Sequence, residues 1–417
     1  MKQRLLFIGE TATLAHVVRP YYLASQLDTD IFEIHFATGN AYRNLLNNQH
    51  LIYHNLNSRS PKEFQAILAR KGILFDEQIA EKYVAEEIDL IRSLKPDLII
   101  GDLRPTLSVS STVCNTPLIT LTNIYWSPYK TNLSFPAPTL PLPYLLRDSK
   151  VFSSSILNCW SYFFNLLAPK IMQEQGTGIN LVRKKYGLAP FEDYLTGFTW
   201  GNYTLYCDPP SLCGTNQLPD NHLFIGHIPW SPPQELPSWY NHLPRNKKTI
   251  FISLGSSGDP TIFADIVDSL NSMEFTVIVA TAGSIDHTRL PPHWFVEDYL
   301  DGERFASLAD IVITNGGSPS SYQAIKQGTP VLGIPENMDQ LLSMELIAKS
   351  GAGICLRKDL LTVNNFTKNI NFILTNASYR RHAKKLALEL NSIKATETFL
   401  NIVNTLINPD FKKAGNI

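Results

Sequence analysis

The segment Ile311 to Gln340 constrains the fold more than any other part of the chain. The β-rich run Ile311-Val-Ile-Thr reads as a strand that passes straight into Asn315, Gly316 and Gly317. A helix then starts in the Ser/Pro-rich turn at Ser318, a short strand follows from Pro330, and the acid-amide pair Asp339-Gln340 closes the unit. Strand, glycine turn, helix and strand in that order describe a crossover unit of a parallel sheet. Backbone N–H groups at such a helix start make an anion site, and the glycines let a phosphate approach the main chain closely.

The same alternation runs through both halves. Arg4 to Gly9 reads as a strand and Leu14 to Gln26 as the helix after it. Ile31 to Ala37 is the next strand, Phe75 to Leu94 a long amphipathic helix, and Pro96 to Asp102 and Pro117 to Thr122 two further strands. From Tyr125 to Leu166 aromatic residues and prolines crowd the sequence, and a loop that apolar marks an interaction site. A second proline-rich stretch begins at Ile228 and reads as a linker. Thr249 to Gly255 opens a fresh series of strands that recur at 275–281, 310–314, 330–334 and 353–356, before helices take over from Leu360 to Asn408. The expected division is an N-terminal domain over 1–228, a linker over 229–247 and a C-terminal domain over 248–417, with room for the last helices to pack back on the first domain. A chain of 417 residues fits two such domains.

Composition narrows the function classes. A net charge of −1 gives no concentrated basic surface, so nucleic acid is not an expected partner. The five cysteines are scattered without a C-x-x-C pair and read as thiols of a reducing compartment. The apolar run at the N-terminus is too short for a signal peptide, and no window reaches the ~18 apolar residues of a membrane span. A cytoplasmic protein is expected, with peripheral membrane contact left open.

The ordered set Gly316-Gly317, Ser320, Gln323, Gly328, Pro330, Pro335 and Asp339-Gln340 resembles the nucleotide-sugar signature of family 1 glycosyltransferases, the group of the UDP-glycosyltransferases and macrolide glycosyltransferases. The resemblance implies the GT-B architecture: an α/β chain with two Rossmann-like αβα domains facing each other across a cleft. It implies a donor site built from Ser256 and Ser257 after the first strand of the second domain. Asn315, Gly316, Gly317, Ser318 and Ser320 would surround the diphosphate, Gln323 the ribose, and Asp339 and Gln340 the sugar hydroxyls. Tyr299 would stack on the base and Leu300 offer its backbone to the base edge. Two positions depart from the family. Asn315 replaces the usual histidine and keeps two donors without a positive charge. Gln323 replaces the usual glutamate and loses a charge-assisted pair with the ribose hydroxyls, so thymidine diphosphate sugars are expected beside uridine ones.

In the first half the resemblance places the general base at His16, although Ala15 stands where many members have glycine. Asp102, at the end of its strand, would pair with it. An imidazole can take the proton of an attacking hydroxyl, and a carboxylate on its other nitrogen fixes the tautomer. The diphosphate leaving group is served by backbone N–H groups, and Asp28-Thr-Asp30 reads as a solvated turn, so neither metal nor cofactor is expected beyond the nucleotide-sugar co-substrate. Tyr125, Trp126, Tyr129, Phe135 and Trp160 are expected to form the wall for an apolar small-molecule or lipid acceptor. The implied function is inverting, metal-independent hexosyl transfer from a UDP- or dTDP-sugar to a hydroxyl. A nucleotide-sugar epimerase on the same fold and a non-catalytic nucleotide-sugar-binding protein stand as alternatives.

Overall fold

The computed structural model describes residues 2–69, 72–139, 147, 150–255, 261–271 and 273–407. The chain forms two compact units, Met1–Asn132 with Ala168–Trp230 and Ile393–Ile417, and Leu133–Leu167 with Ser231–Ser392. The chain thus changes unit at Trp230, and residues 133–167 of the aromatic stretch group with the second unit.

The first unit carries β1 (Gln3–Gly9), α1 (Ala15–Ser25), β2 (Phe32–Thr38), β3 (Ile52–Asn55), α2 (Pro61–Ala69), α3 (Glu77–Leu94), β4 (Leu98–Asp102), α4 (Leu107–Val113) and β5 (Leu118–Thr122). After α5 (Lys150–Gln175), within which the unit boundary falls, come α6 (Thr177–Lys185), β6 (Tyr203–Tyr206) and β7 (His222–Phe224). The strands make one seven-stranded sheet in the order β3-β2-β1-β4-β5-β6-β7, parallel at every pairing. Alternation along β1 sends Leu5 and Phe7 into one core cluster and Leu6 and Ile8 into another. A strand buried on both faces belongs to a parallel sheet covered by helices on each side.

The second unit carries β8 (Lys248–Ser253), α7 (Ile262–Leu270), β9 (Phe275–Ala280), β10 (Phe295–Glu297), α8 (Gly302–Leu308), β11 (Ile311–Thr314), α9 (Ser318–Lys326), β12 (Val331–Gly333), α10 (Met338–Lys349), β13 (Gly353–Cys355), α11 (Val363–Thr375) and α12 (Ala377–Ser392). Its six strands run parallel in the order β10-β9-β8-β11-β12-β13. Ile250, Ile252, Val279, Ile311 and Ile313 share one core with Phe366 and Ile370 of α11. The last helix, α13 (Ala395–Ile407), returns to the first unit, where Phe399, Ile402, Val403 and Leu406 join the cluster of Leu5 and Phe7.

Among the described residues no helix is long and apolar enough to cross a membrane. In each sheet the strand order reverses at one point, between β1 and β4 in the first and between β8 and β11 in the second. Open parallel sheets bind ligands at the carboxyl ends of the strands flanking that reversal.

Candidate active site

At the reversal of the first sheet the register sets Gly9 beside Asp102, so the loops after β1 and β4 leave the sheet side by side. Helix α1 approaches closely there. A Cβ on Gly9 would stand 2.7 Å from the His16 carbonyl oxygen and 3.0 Å from Val17 Cα, so only glycine fits. Pro20 lies inside α1 and supplies no N–H to the His16 carbonyl one turn back, leaving that oxygen outside the helix ladder. On the β4 side Leu103 adopts φ 50°, a left-handed backbone that costs a branched residue about 1–2 kcal/mol. Strain of that kind clusters where function holds it in place.

These approaches bring His16 Nδ1 to 2.8 Å from Asp102 Oδ1. In the tautomer carrying its proton on Nδ1, the ring donates to the carboxylate and turns Nε2 outward. The Asp102 side chain is 1% exposed and that of His16 13%. A bare carboxylate so deeply buried would be costly, and Arg19 compensates it. Arg19 Nε and Nη2 donate to Asp102 Oδ2 and Oδ1, each at 2.7 Å. Burial by itself lowers the pKa of Arg19, but the charge and hydrogen bonds of Asp102, with smaller contributions from Cys207 and Tyr125, together raise it above the usual value, so the guanidinium keeps its proton. Arg19 Nη1 donates to Asn123 Oδ1 at 2.7 Å, and Asn123 Nδ2 donates in turn to Asp208 Oδ1 at 2.8 Å. Asp208 Oδ2 also accepts the Ile124 N–H at 2.7 Å.

In the second unit Ser253 pairs with Thr314, so the loops after β8 and β11 also leave side by side. Gly255 has φ 64°, and a Cβ there would lie 3.5 Å from Asn315 Nδ2 and 3.9 Å from Ser320 Oγ. Gly255, Asn315 and Ser320 therefore converge around one spot. Ser256 and Ser257 lie outside the described residues. The turn is held by its own side chains: Thr314 Oγ1 accepts the Gly316 N–H at 2.9 Å, and Asn315 Oδ1 accepts the Gly317 N–H at 3.0 Å. Gly316 has φ 83°, and a Cβ would meet Met344 Cγ at 2.6 Å. Gly317 stands immediately before α9, whose first residue is the buried Ser318. Backbone N–H groups at a helix start can hold an anion.

Gln323 rests against the loop between β10 and α8: its Nε2 donates to Ser231 Oγ at 3.2 Å, and the Gly302 N–H donates to the same oxygen at 3.2 Å. A methyl group on Gly302 would overlap the Gln323 carboxamide. That loop holds the half-buried Tyr299 and the buried Leu300, and Asp301 caps α8 by accepting the Arg304 N–H at 3.2 Å. Asp339, half-buried, sits in the first turn of α10. Gln340 is 2% exposed, and its Oε1 accepts from the N–H groups of Glu336 at 2.9 Å and Asn337 at 3.4 Å. With Asn337 Oδ1 accepting the Gln340 N–H, this is a capping box, so the Gln340 oxygen is spent on the helix start.

Residues 264–407 match the family described as erythromycin biosynthesis protein CIII-like, C-terminal domain. A PGL/p-HBAD biosynthesis glycosyltransferase of Mycobacterium tuberculosis is 37% identical over 387 residues, 93% of this chain and 88% of its own. The family is thereby decided. The chain belongs to the family 1 glycosyltransferases. A PGL/p-HBAD biosynthesis rhamnosyltransferase of Mycobacterium bovis is 35% identical over 387 residues, 93% of this chain and 84% of its own. Among solved structures, spinosyn rhamnosyltransferase SpnG complexed with thymidine diphosphate superposes with a TM-score of 0.66 at 17% identity, over 96% of this chain and 100% of its own, and shares the GT-B fold.

In this glycosyltransferase the five aromatics expected to line an acceptor wall are divided between the two units. Tyr125 is fully buried, with its ring centroid 6.3 Å from Trp126, and Trp126 lies 5.8 Å from Phe198. Tyr129 packs edge-on to His222 at 5.0 Å. Phe135 and Trp160 group with the second unit, where Trp160 Nε1 donates to the Pro138 carbonyl at 2.9 Å. Arg357 holds the same loop by donating to the carbonyls of Ala137 at 2.9 Å and Pro138 at 3.2 Å.

Sequence reading missed Arg19, Asn123, Asp208 and Ser231. Arg19 had a signal, because three residues after His16 it shares that residue's helical face. Asp208 had none: it follows the short strand β6, which its own four residues do not announce.

Proposed function

We propose that this glycosyltransferase moves a hexose from a UDP- or dTDP-sugar to a hydroxyl of an apolar small molecule or lipid, with inversion at the anomeric carbon and without a metal ion. The observation that carries the reading is the 2.8 Å contact between His16 and the buried Asp102 at the reversal of the first sheet. As the acceptor oxygen attacks the anomeric carbon, its proton passes to His16 Nε2. The bond from that carbon to the diphosphate oxygen breaks with its electron pair on the oxygen, and the nucleoside diphosphate leaves. One displacement inverts the centre. Asp102, hydrogen-bonded to Nδ1, orients the ring and stabilises the imidazolium as it forms. Charge developing on the leaving diphosphate meets the N–H groups at the start of α9, preorganised donors that take the role a metal would otherwise fill.

Thymidine diphosphate in the SpnG structure and the rhamnosyl transfer in the name of one relative support a dTDP-linked 6-deoxyhexose among the donors. Gln323, carrying no charge, fits a site that does not demand a ribose 2′-hydroxyl. For the acceptor, α5 leaves Tyr162 65% and Leu166 62% exposed, apolar surface of the kind that meets a lipid or large hydrophobic ligand. The five cysteines are free thiols, which fits a cytoplasmic setting.

The test begins with thermal shifts in UDP, dTDP, GDP and ADP and their common sugars. At a hundredfold excess over Kd a ligand that binds only the folded state adds about 2.7 kcal/mol of stability. Shifts confined to UDP and dTDP compounds are expected, with Kd values for the two nucleotides within a factor of ~10, about 1.4 kcal/mol. No shift with either, or a hundredfold preference for UDP, overturns the donor assignment. His16→Ala should then lower turnover by ~10²–10⁴-fold while the donor Kd stays constant. Unchanged turnover removes His16 from its role.

A further inference from the structure

We propose that Arg19 is a positioning residue of the transfer reaction: it fixes the Asp102 carboxylate so that Oδ1 receives the His16 Nδ1 proton and Nε2 is left with its lone pair. The inference rests on the reading of His16 as general base.

Three features of the geometry carry it. Arg19 engages both Asp102 oxygens at 2.7 Å, the fork arrangement that sets the rotation of a carboxylate as well as its position. The guanidinium is itself fixed from behind by Asn123, which Asp208 holds. The clamp is thus part of a buried chain running His16, Asp102, Arg19, Asn123, Asp208, four of whose members are at most 4% exposed as residues.

The third feature is the approach of Arg19 Nη2 to 2.9 Å from His16 Nδ1. A guanidinium nitrogen can only donate. If the carboxylate turned away, Nη2 would donate into Nδ1, the ring proton would move to Nε2, and His16 would present an N–H to the acceptor instead of a lone pair. With Oδ1 held where it is, 2.8 Å from Nδ1 and 2.7 Å from Nη2, both donors share one acceptor and the productive tautomer is kept. Arg19 therefore does more than neutralise a buried charge. A lysine would supply the charge but not the two-point orientation.

A double-mutant cycle tests this with His16→Ala, Arg19→Ala, Arg19→Lys and the His16→Ala/Arg19→Ala pair, measuring kcat, the acceptor KM and the dTDP Kd of each folded protein. Arg19→Ala is expected to lower kcat by ~10- to ~100-fold, the usual cost of removing a partner that orients a reacting group, with acceptor KM and dTDP Kd little changed. Arg19→Lys should fall in the same range. Added guanidinium at millimolar concentration should restore part of the Arg19→Ala loss. In the His16→Ala background the Arg19 effect should vanish, because a residue acting through His16 has nothing left to position.

Wild-type kcat in Arg19→Lys, or the same loss in both backgrounds, would overturn the inference while leaving His16 as base. Wild-type turnover in His16→Ala would overturn both. Should Arg19→Ala fail to give a native circular-dichroism spectrum, Arg19→Lys, which keeps the charge and most of the volume, decides the question.

Discussion

Gly255 and Gln340 show how much of the proposed donor site hangs on single residues. Gly255 has φ 64°, and any larger residue there would carry its Cβ to 3.5 Å from Asn315 Nδ2. Alanine must then bear a left-handed backbone, at about 1–2 kcal/mol. Gly255→Ala should lower the urea midpoint accordingly and weaken dTDP binding by calorimetry, since the methyl group occupies the spot where Asn315 and Ser320 converge. Unchanged dTDP affinity would place the nucleotide elsewhere. Gln340 teaches the opposite lesson. Its place in the acid-amide pair is legible in the sequence, yet Asn337-Met-Asp-Gln340 is equally legible as a capping box, and the direction of one carboxamide separates the two readings.

Among the elements, α1 decides the geometry of the proposed base. It carries His16 and Arg19 on one face and lies against the end of β1 because Gly9 has no side chain. Gly9→Ala would push a methyl group to 2.7 Å from the His16 carbonyl and lift the helix from the sheet. A stability loss of about 1–3 kcal/mol is expected from the overpacking. Turnover should fall well beyond that, with the dTDP Kd unchanged because the proposed donor residues stand in the other unit; intact kcat in Gly9→Ala would show that α1 can shift without cost to the site. The strands flanking both reversals were legible: Arg4–Gly9, Pro96–Asp102, Thr249–Gly255 and 310–314 are mostly buried runs rich in Ile, Leu, Val and Phe, and β1, β4, β8 and β11 follow them within two residues. The outer strands β3, β6, β7 and β10 were not. They are three or four residues long, and β3 and β10 hold half-exposed side chains, so neither length nor alternation sets them apart from loops.

At the scale of the whole molecule the chain leaves the first unit at Asn132, re-enters it at Ala168, leaves at Trp230 and returns at Ile393. The return matters for stability. In α13, Phe399 is fully buried with its ring 6.2 Å from Phe7, and Ile402, Val403 and Leu406 fill the same core. Each such side chain contributes roughly 1.5–3 kcal/mol, so together they rival the 5–15 kcal/mol of an ordinary domain. A chain ending at Ser392 should therefore lose the cooperative unfolding of the first unit, seen as early proteolysis within residues 1–132; a first unit that melts at the wild-type temperature would refute this. By itself the sequence determined the α/β class, the parallel sheets and the glycine turns, because each is written in local periodicity or in a short ordered motif, whereas the pairing of His16 with Asp102 was expected only through the family resemblance. Tertiary structure alone decided that Arg19, Asn123 and Asp208 join that pair, that Tyr125 and Trp160 are engaged in packing, and that the last helix completes the first core. Those outcomes depend on which distant segments share a sheet edge or a core face, and no local pattern encodes that.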